Sequence, residues 1–183
     1  MASKNRTLNT LYDHKINNTV FLAGDSHASW VSDLIWLDEH PYDPKTGAGS
    51  IGVEFAGSAV SSPCPAGQNI SLAAANAGSA WLTSVNRELQ WQDLYYRGYY
   101  ELSIGYDSLN ASYFGLPTFA TRNGYEISLA NFTVLAGENR LHRGLNGLPS
   151  GTFESGSLKG AEGPAGTNLT HDTTDGRWFV YEG

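Results

Sequence analysis

The sequence is poor in the residues that build several common kinds of site. Among 183 residues there is one cysteine, Cys64. A lone thiol cannot close an internal disulfide or found a cysteine-based zinc site. Charged residues make up 16%, below the roughly 25% of an average domain. Basic residues are the scarcer sign, 11 Lys+Arg against 18 Asp+Glu, for a net charge of −7. They form no cluster, which argues against nucleic acid as a stable partner. No apolar run approaches the roughly 20 residues that a membrane-crossing helix needs. What the chain does have is 40% hydrophobic and 12% aromatic residues. That is enough for a core and unlike a disordered chain. The length suits one domain of roughly 100–200 residues.

Along the chain, Leu8, Leu11, Tyr12 and Ile16 share one face of a short helix over 6–16. Thr19-Val20-Phe21-Leu22-Ala23 is an apolar run closed by Gly24, the pattern of a strand buried on both faces. Residues 30–37 suit helix or strand equally. A turn-rich stretch covers 40–47, a strand 51–56, and a Pro-marked loop 58–69. Leu82, Val85 and Leu89 predict a helix over 79–89 with Ser79 as its N-cap. Strands over 99–104 and 110–114 read as a hairpin, and 126–135 as a further strand. The fold class expected is α/β, with α+β the alternative, β-dominant with few helices. From residue 140 glycine is frequent. Two regions follow: an ordered one over 1–139 and a loosely packed Gly-rich tail over 140–183.

Six Asn-x-Ser/Thr sequons occur, at Asn5, Asn17, Asn69, Asn110, Asn131 and Asn168. They point to a secreted or lumenal glycoprotein, although an Asn-, Ser- and Thr-rich composition also generates them by chance. The first residues carry no signal peptide. A natural polypeptide continuing upstream of residue 1 reconciles the two observations.

One local constellation carries chemistry: Gly24-Asp25-Ser26-His27 at the end of the apolar strand. Strand ends of α/β sheets are where ligands sit. A carboxylate and an imidazole two residues apart make half a shell for a transition metal, which can hold a phosphoester oxygen and activate water. The bland alternative has Asp25 capping a helix near His27, with His27 merely packed. Gly24-Asp25-Ser26 also resembles the nucleophile block of the SGNH/GDSL hydrolases, with Ser26 as nucleophile of an esterase. That family's catalytic Asp-x-x-His is missing: His142 and His171 are preceded three residues earlier by Asn139 and Asn168.

Beyond this turn the chain resembles the C-terminal part of the PhoD-like phosphatases, especially the fungal members. These enzymes belong to the calcineurin-like metallophosphoesterase superfamily. Residues 18–30, with Gly24-Asp25-Ser26-His27-Ala28-Ser29-Trp30, are similar to the family's Gly-Asp-x-His-x-x-Trp block. Gly52-Val53-Glu54-Phe55-Ala56 through Ser61-Ser62-Pro63 is similar to a second block, and Asn86-Arg87-Glu88-Leu89 with Arg97-Gly98-Tyr99 to a third.

The resemblance implies part of an α/β/β/α sandwich and a phosphate mono- or diester hydrolase. It implies a metal centre, with iron and calcium as the metals and Asp25 and His27 as metal ligands. Water activated by those metals would attack phosphorus. A ligating histidine needs an acceptor for its other ring nitrogen, for which Ser61, Ser62 or a backbone carbonyl of their loop is available. The family's earlier ligand blocks are not found in these 183 residues, so the expected partner is a missing N-terminal part of the same enzyme.

Other residues suggest less. Glu54 suits the solvent side of its strand. Arg97 could hold a phosphate, but a pairing with Asp93 or Glu101 is the ordinary expectation. Trp30, Trp36, Trp81 and Trp91 could form a glycan-stacking surface on a non-catalytic secreted β-rich module, or simply fill the core. Tyr95, Tyr96, Tyr99 and Tyr100 suggest a packing seam. His14, His40, His142 and His171 have no partners at ligand spacing.

Overall fold

The computed structural model describes residues 2–37, 39–67, 69–118, 122, 124–161, 169–171 and 178–180. The chain opens with helix α1 (Ala2–His14). Its Leu8 and Leu11 are buried with Ile51, against Leu34 and Trp36. Strands β1 (Val20–Ala23), β2 (Ser29–Leu34) and β3 (Gly52–Ala56) follow, then helix α2 (Leu72–Val85) and strand β4 (Leu89–Asp93). Next come β5 (Gly98–Ile104), β6 (Ser108–Gly115) and β7 (Ile127–Leu135). Short strands β8 (Ser157–Leu158), β9 (Leu169–His171) and β10 (Trp178–Val180) complete the described elements.

The first sheet runs β1-β3-β2-β4-β8, and the second β5-β6-β7. Only β1 and β3 pair in parallel within the first sheet. The second is an antiparallel meander, and β9 and β10 form a separate antiparallel pair. The two larger sheets share one core. Val31, Val53, Phe55 and Trp91 of the first meet Tyr113, Leu129, Phe132 and Val134 of the second. Fully burying side chains of this size contributes about 1.5–3 kcal/mol each. Trp91 lies at the centre, its ring centroid 5.0 Å from Tyr113 and 5.7 Å from Phe132. Its indole N–H is satisfied by the Ser155 carbonyl at 2.9 Å, as a buried indole requires. On the other face α2 packs against β4 and β8. The architecture is β-dominant α/β with two helices, in line with the fold class expected.

Three local expectations are corrected. β1 forms where the apolar run predicts it, but it is an edge strand, and Phe21 and Leu22 are 38% and 59% exposed. An apolar strand is buried on both faces only when neighbours cover it, and among the described residues none pairs with its outer edge. Helix α2 starts seven residues earlier than the leucine spacing suggests. Its N-cap is Ser71, whose hydroxyl accepts from the Ala74 N–H at 3.2 Å, and Leu89 belongs to β4. The alanine-rich stretch 73–77 favours helix intrinsically. Gly78 lies inside the helix, where a Cβ would stand 3.0 Å from Leu94 Cδ1. Lastly, the described Gly-rich residues 140–161 are not loosely packed. Leu141, Ser155, Ser157 and Leu158 are buried, and β8 extends the first sheet at β4. The sequence of 162–168, 172–177 and 181–183 lies outside the described residues.

Candidate metal-ligand corner

The turn after β1 has an unusual backbone. Asp25 and His27 both have positive φ, 70° and 56°, a conformation that Asp and His tolerate better than most side chains but that still costs energy. Such residues persist where the surroundings over-determine them, and they collect at functional sites. The surroundings here can be named. The Ser26 N–H donates to the Gly24 carbonyl at 2.9 Å. The Trp30 indole N–H donates to Ser26 Oγ at 2.8 Å, and that hydroxyl donates to the Ala28 carbonyl at 3.2 Å. The Arg97 guanidinium donates to the His27 carbonyl at 3.1 Å. No helix begins at His27, so Asp25 caps none; the chain passes directly into β2.

The imidazole is anchored separately. His27 Nδ1 lies 3.0 Å from the carbonyl oxygen of Pro63. A carbonyl can only accept, so Nδ1 carries the proton, and neutral His27 keeps its lone pair on Nε2. That is the tautomer of a ligating histidine with a backbone carbonyl behind it. His27 is half-buried and Asp25 is exposed, so neither is sealed in the core. The donor set, one carboxylate oxygen and one imidazole nitrogen, fits a metal ligand pair. Among the described residues no group of three or more His, Cys, Asp or Glu side chains gathers to hold an ion.

The other candidates disperse. Ser26 Oγ is engaged by Trp30 and Ala28, and no imidazole or carboxylate of the described residues is hydrogen-bonded to it. Without a base it is not an activated nucleophile, and the esterase alternative falls. Glu54 is half-buried. Trp91 is core, Trp36 packs against α1, Trp30 packs beside α2, and Trp81 is exposed. They make no common stacking face. The tyrosine seam is present: Tyr95 meets Tyr96 edge-on at 4.9 Å, Tyr100 stacks on Tyr113 at 5.2 Å, and Tyr99 on Phe114 at 5.3 Å. Cys64 is a buried free thiol. His40 stacks on Tyr12 at 3.7 Å.

Sequence reasoning placed Arg97 with a carboxylate, and the structure does not. Among the described residues the ion pairs are Glu138–Arg140 and Asp33–Arg143. Asp93 spends one oxygen on the Tyr95 and Tyr96 N–H groups and the other on the Ser155 hydroxyl, and burial raises its pKa. Its oxygens are thus taken by the turn that follows β4. The signal that could have foretold this is the Asp93-Leu94-Tyr95-Tyr96 spacing, a side chain capping its own downstream amides.

A family model for PhoD-like phosphatases matches residues 1–113. Alkaline phosphatase D of Bacillus subtilis (strain 168) is 31% identical over 156 residues, covering 85% of this chain and 24% of that protein. A solved structure of PhoD is similar with a TM-score of 0.55 at 24% identity, over 84% of this chain and 26% of the other. The chain therefore spans about a quarter of the length of these relatives.

Proposed function

The chain belongs to the PhoD-like phosphatase family, and from that premise we propose that it is a portion, the C-terminal one, of a metal-dependent hydrolase of phosphate mono- or diesters. The observation that carries this is the hydrogen bond from His27 Nδ1 to Pro63, which leaves Nε2 as the ring's free lone pair, two residues along the turn from the exposed Asp25. Asp25 and His27 would hold the metal, with iron and calcium the ions implied by the resemblance. When bound, such ions polarise the phosphoryl oxygens and lower the pKa of water. The chain's own part is to orient the two donors. Pro63 fixes the ring, Arg97 fixes the backbone carbonyl, and the Trp30–Ser26 contact fixes the residue between them.

Two donors do not close a binuclear centre. We place the remaining ligands in an N-terminal part of the same enzyme outside these 183 residues. The exposed apolar edge of β1 supports that placement. Four sequon asparagines, Asn5, Asn17, Asn69 and Asn110, are exposed, which supports a secreted or lumenal glycoprotein. Loss of electrophoretic mobility shift on treatment with an N-glycan-specific amidase tests that.

The function is tested by metal analysis and p-nitrophenyl phosphate turnover, in this chain and in a version extended upstream by its genomic reading frame. The extended protein is expected to bind metal and turn over, and both Asp25→Ala and His27→Ala to lower turnover at least 100-fold. Full activity in either variant would remove them from the centre. Turnover by the 183 residues alone would remove the need for a second part.

A further inference from the structure

Arg97 is 4% exposed, and no described carboxylate forms an ion pair with it. Buried guanidinium groups are ordinarily paired, because an uncompensated charge is costly to keep from water. Its donors are underused as well. One Nη1 contact goes to the His27 carbonyl, a longer one of 3.5 Å to Ser58 Oγ, and Nε has no partner. A guanidinium has five N–H donors in a planar fork suited to oxyanions.

The same residue lines a cleft of about 370 Å³, with Asn69, Ile70, Tyr95, Tyr96 and Leu116 among its walls. Asn69 and Ile70 lead directly into Ser71, the N-cap of α2. That helix has 14 residues and no acidic side chain in its first turn, so its positive end abuts the cleft uncompensated. Asp93 is the acid close enough to act on Arg97, and its oxygens are taken by Ser155, Tyr95 and Tyr96. A cation with no ion-paired carboxylate among the described residues, a helix N-terminus and an open cleft thus coincide next to the His27 turn.

We propose that this cleft is a phosphate-binding site, in which an oxyanion pairs with Arg97 at the N-terminal end of α2. Assigning that phosphate to the substrate of the Asp25–His27 centre rests on the function proposed above; the site itself does not.

The test is titration of the metal-free 183-residue chain, in EDTA, with inorganic phosphate and separately with phenyl phosphate, followed by ³¹P NMR. Saturable binding is expected in the wild type and in His27→Ala. It should weaken at least ten-fold in Arg97→Met, recover in part in Arg97→Lys, and weaken comparably in Asn69→Glu. The last substitution puts a negative charge at an exposed rim position and keeps the core intact, so it separates lost binding from lost fold. Phenyl phosphate bound as well as phosphate assigns the site to the ester; phosphate alone assigns it to the free anion. No saturable binding by the wild type overturns the proposal. So does binding that His27→Ala abolishes while Asn69→Glu leaves it unchanged. Failure of the metal centre shows itself separately, as absence of metal from the upstream-extended protein with phosphate binding intact.

Discussion

Arg143 reaches across 110 residues of sequence to place its Nη2 2.5 Å from Asp33 Oδ2 on β2. The two side chains are 5% and 0% exposed. The other oxygen of Asp33 accepts the Leu141 N–H at 3.0 Å, and Tyr42 donates its hydroxyl to Oδ2 at 2.8 Å. Tyr42 in turn accepts from Gln90 Nε2 at 3.1 Å. The stretch after β7 is therefore tied to the first sheet by charge. Arg143→Met should destabilise the fold by about 3–5 kcal/mol, because it strands a buried carboxylate. The double variant Asp33→Asn/Arg143→Met should recover part of that loss. Urea unfolding checks both; an additive double variant would deny the coupling.

Packing in the same stretch gives a second expectation. Leu141 is fully buried in the shared core, and Leu145 is fully exposed. Leu141→Ala should cost about 2–5 kcal/mol, whereas Leu145→Ala should stay within about 0.5 kcal/mol. Equal, small effects on the denaturation midpoint would mean that residues 140–161 are detached from the core.

Helix α2 depends on its cap. Ser71→Ala removes the acceptor for the Ala74 N–H and should cost about 1 kcal/mol, with Ser71→Gly less harmful. Thermal unfolding by circular dichroism measures it. An effect of Ser79→Ala larger than that of Ser71→Ala would move the helix start back to residue 79.

Asp93 supplies a pH dependence. Burial is the largest influence on it and raises its folded pKa above the ordinary 3.8, despite three hydrogen bonds and the Arg97 charge that oppose the rise. An acid whose pKa is higher folded than unfolded holds more protons in the folded state between the two values. Its contribution to stability is present below about pH 4, the unfolded value. It declines as pH rises from there through the folded pKa. Asp93→Asn should therefore gain stability relative to wild type as pH is raised above about 4. Unfolding free energies at a series of pH values test this, and a constant difference across the series would refute it.

Much of the fold was legible where local pattern and final surroundings agree. The hairpin of β5 and β6 and the long β7 have alternation and turn residues that hold in any context. Residues 30–37 were ambiguous because Trp30, Val31, Leu34 and Ile35 suit either period, and only pairing with β3 and β4 decides for strand. Apolar composition marked β1 as a strand but could not show that one of its edges is unpaired. The glycines after 140 hid the packing there, which rests on single residues such as Leu141 and Arg143 and not on periodicity. At the corner, residue type and spacing single out Asp25 and His27 as candidates. Pro63 was reachable only as one backbone carbonyl among several, and Arg97 was seen with the wrong partner. Contacts 36 and 70 residues apart leave no local trace.

Twice within three residues, at Asp25 and again at His27, the chain between β1 and β2 turns to a handedness that L-amino acids avoid. A free peptide of that sequence has no reason to hold such a shape. The shape of this turn is accordingly a product of assembly: it depends on the Pro63 loop and Arg97 reaching it from elsewhere in the chain. It would also be the first thing erased when either grip slackens, so loosening of this turn should herald melting of the sheets.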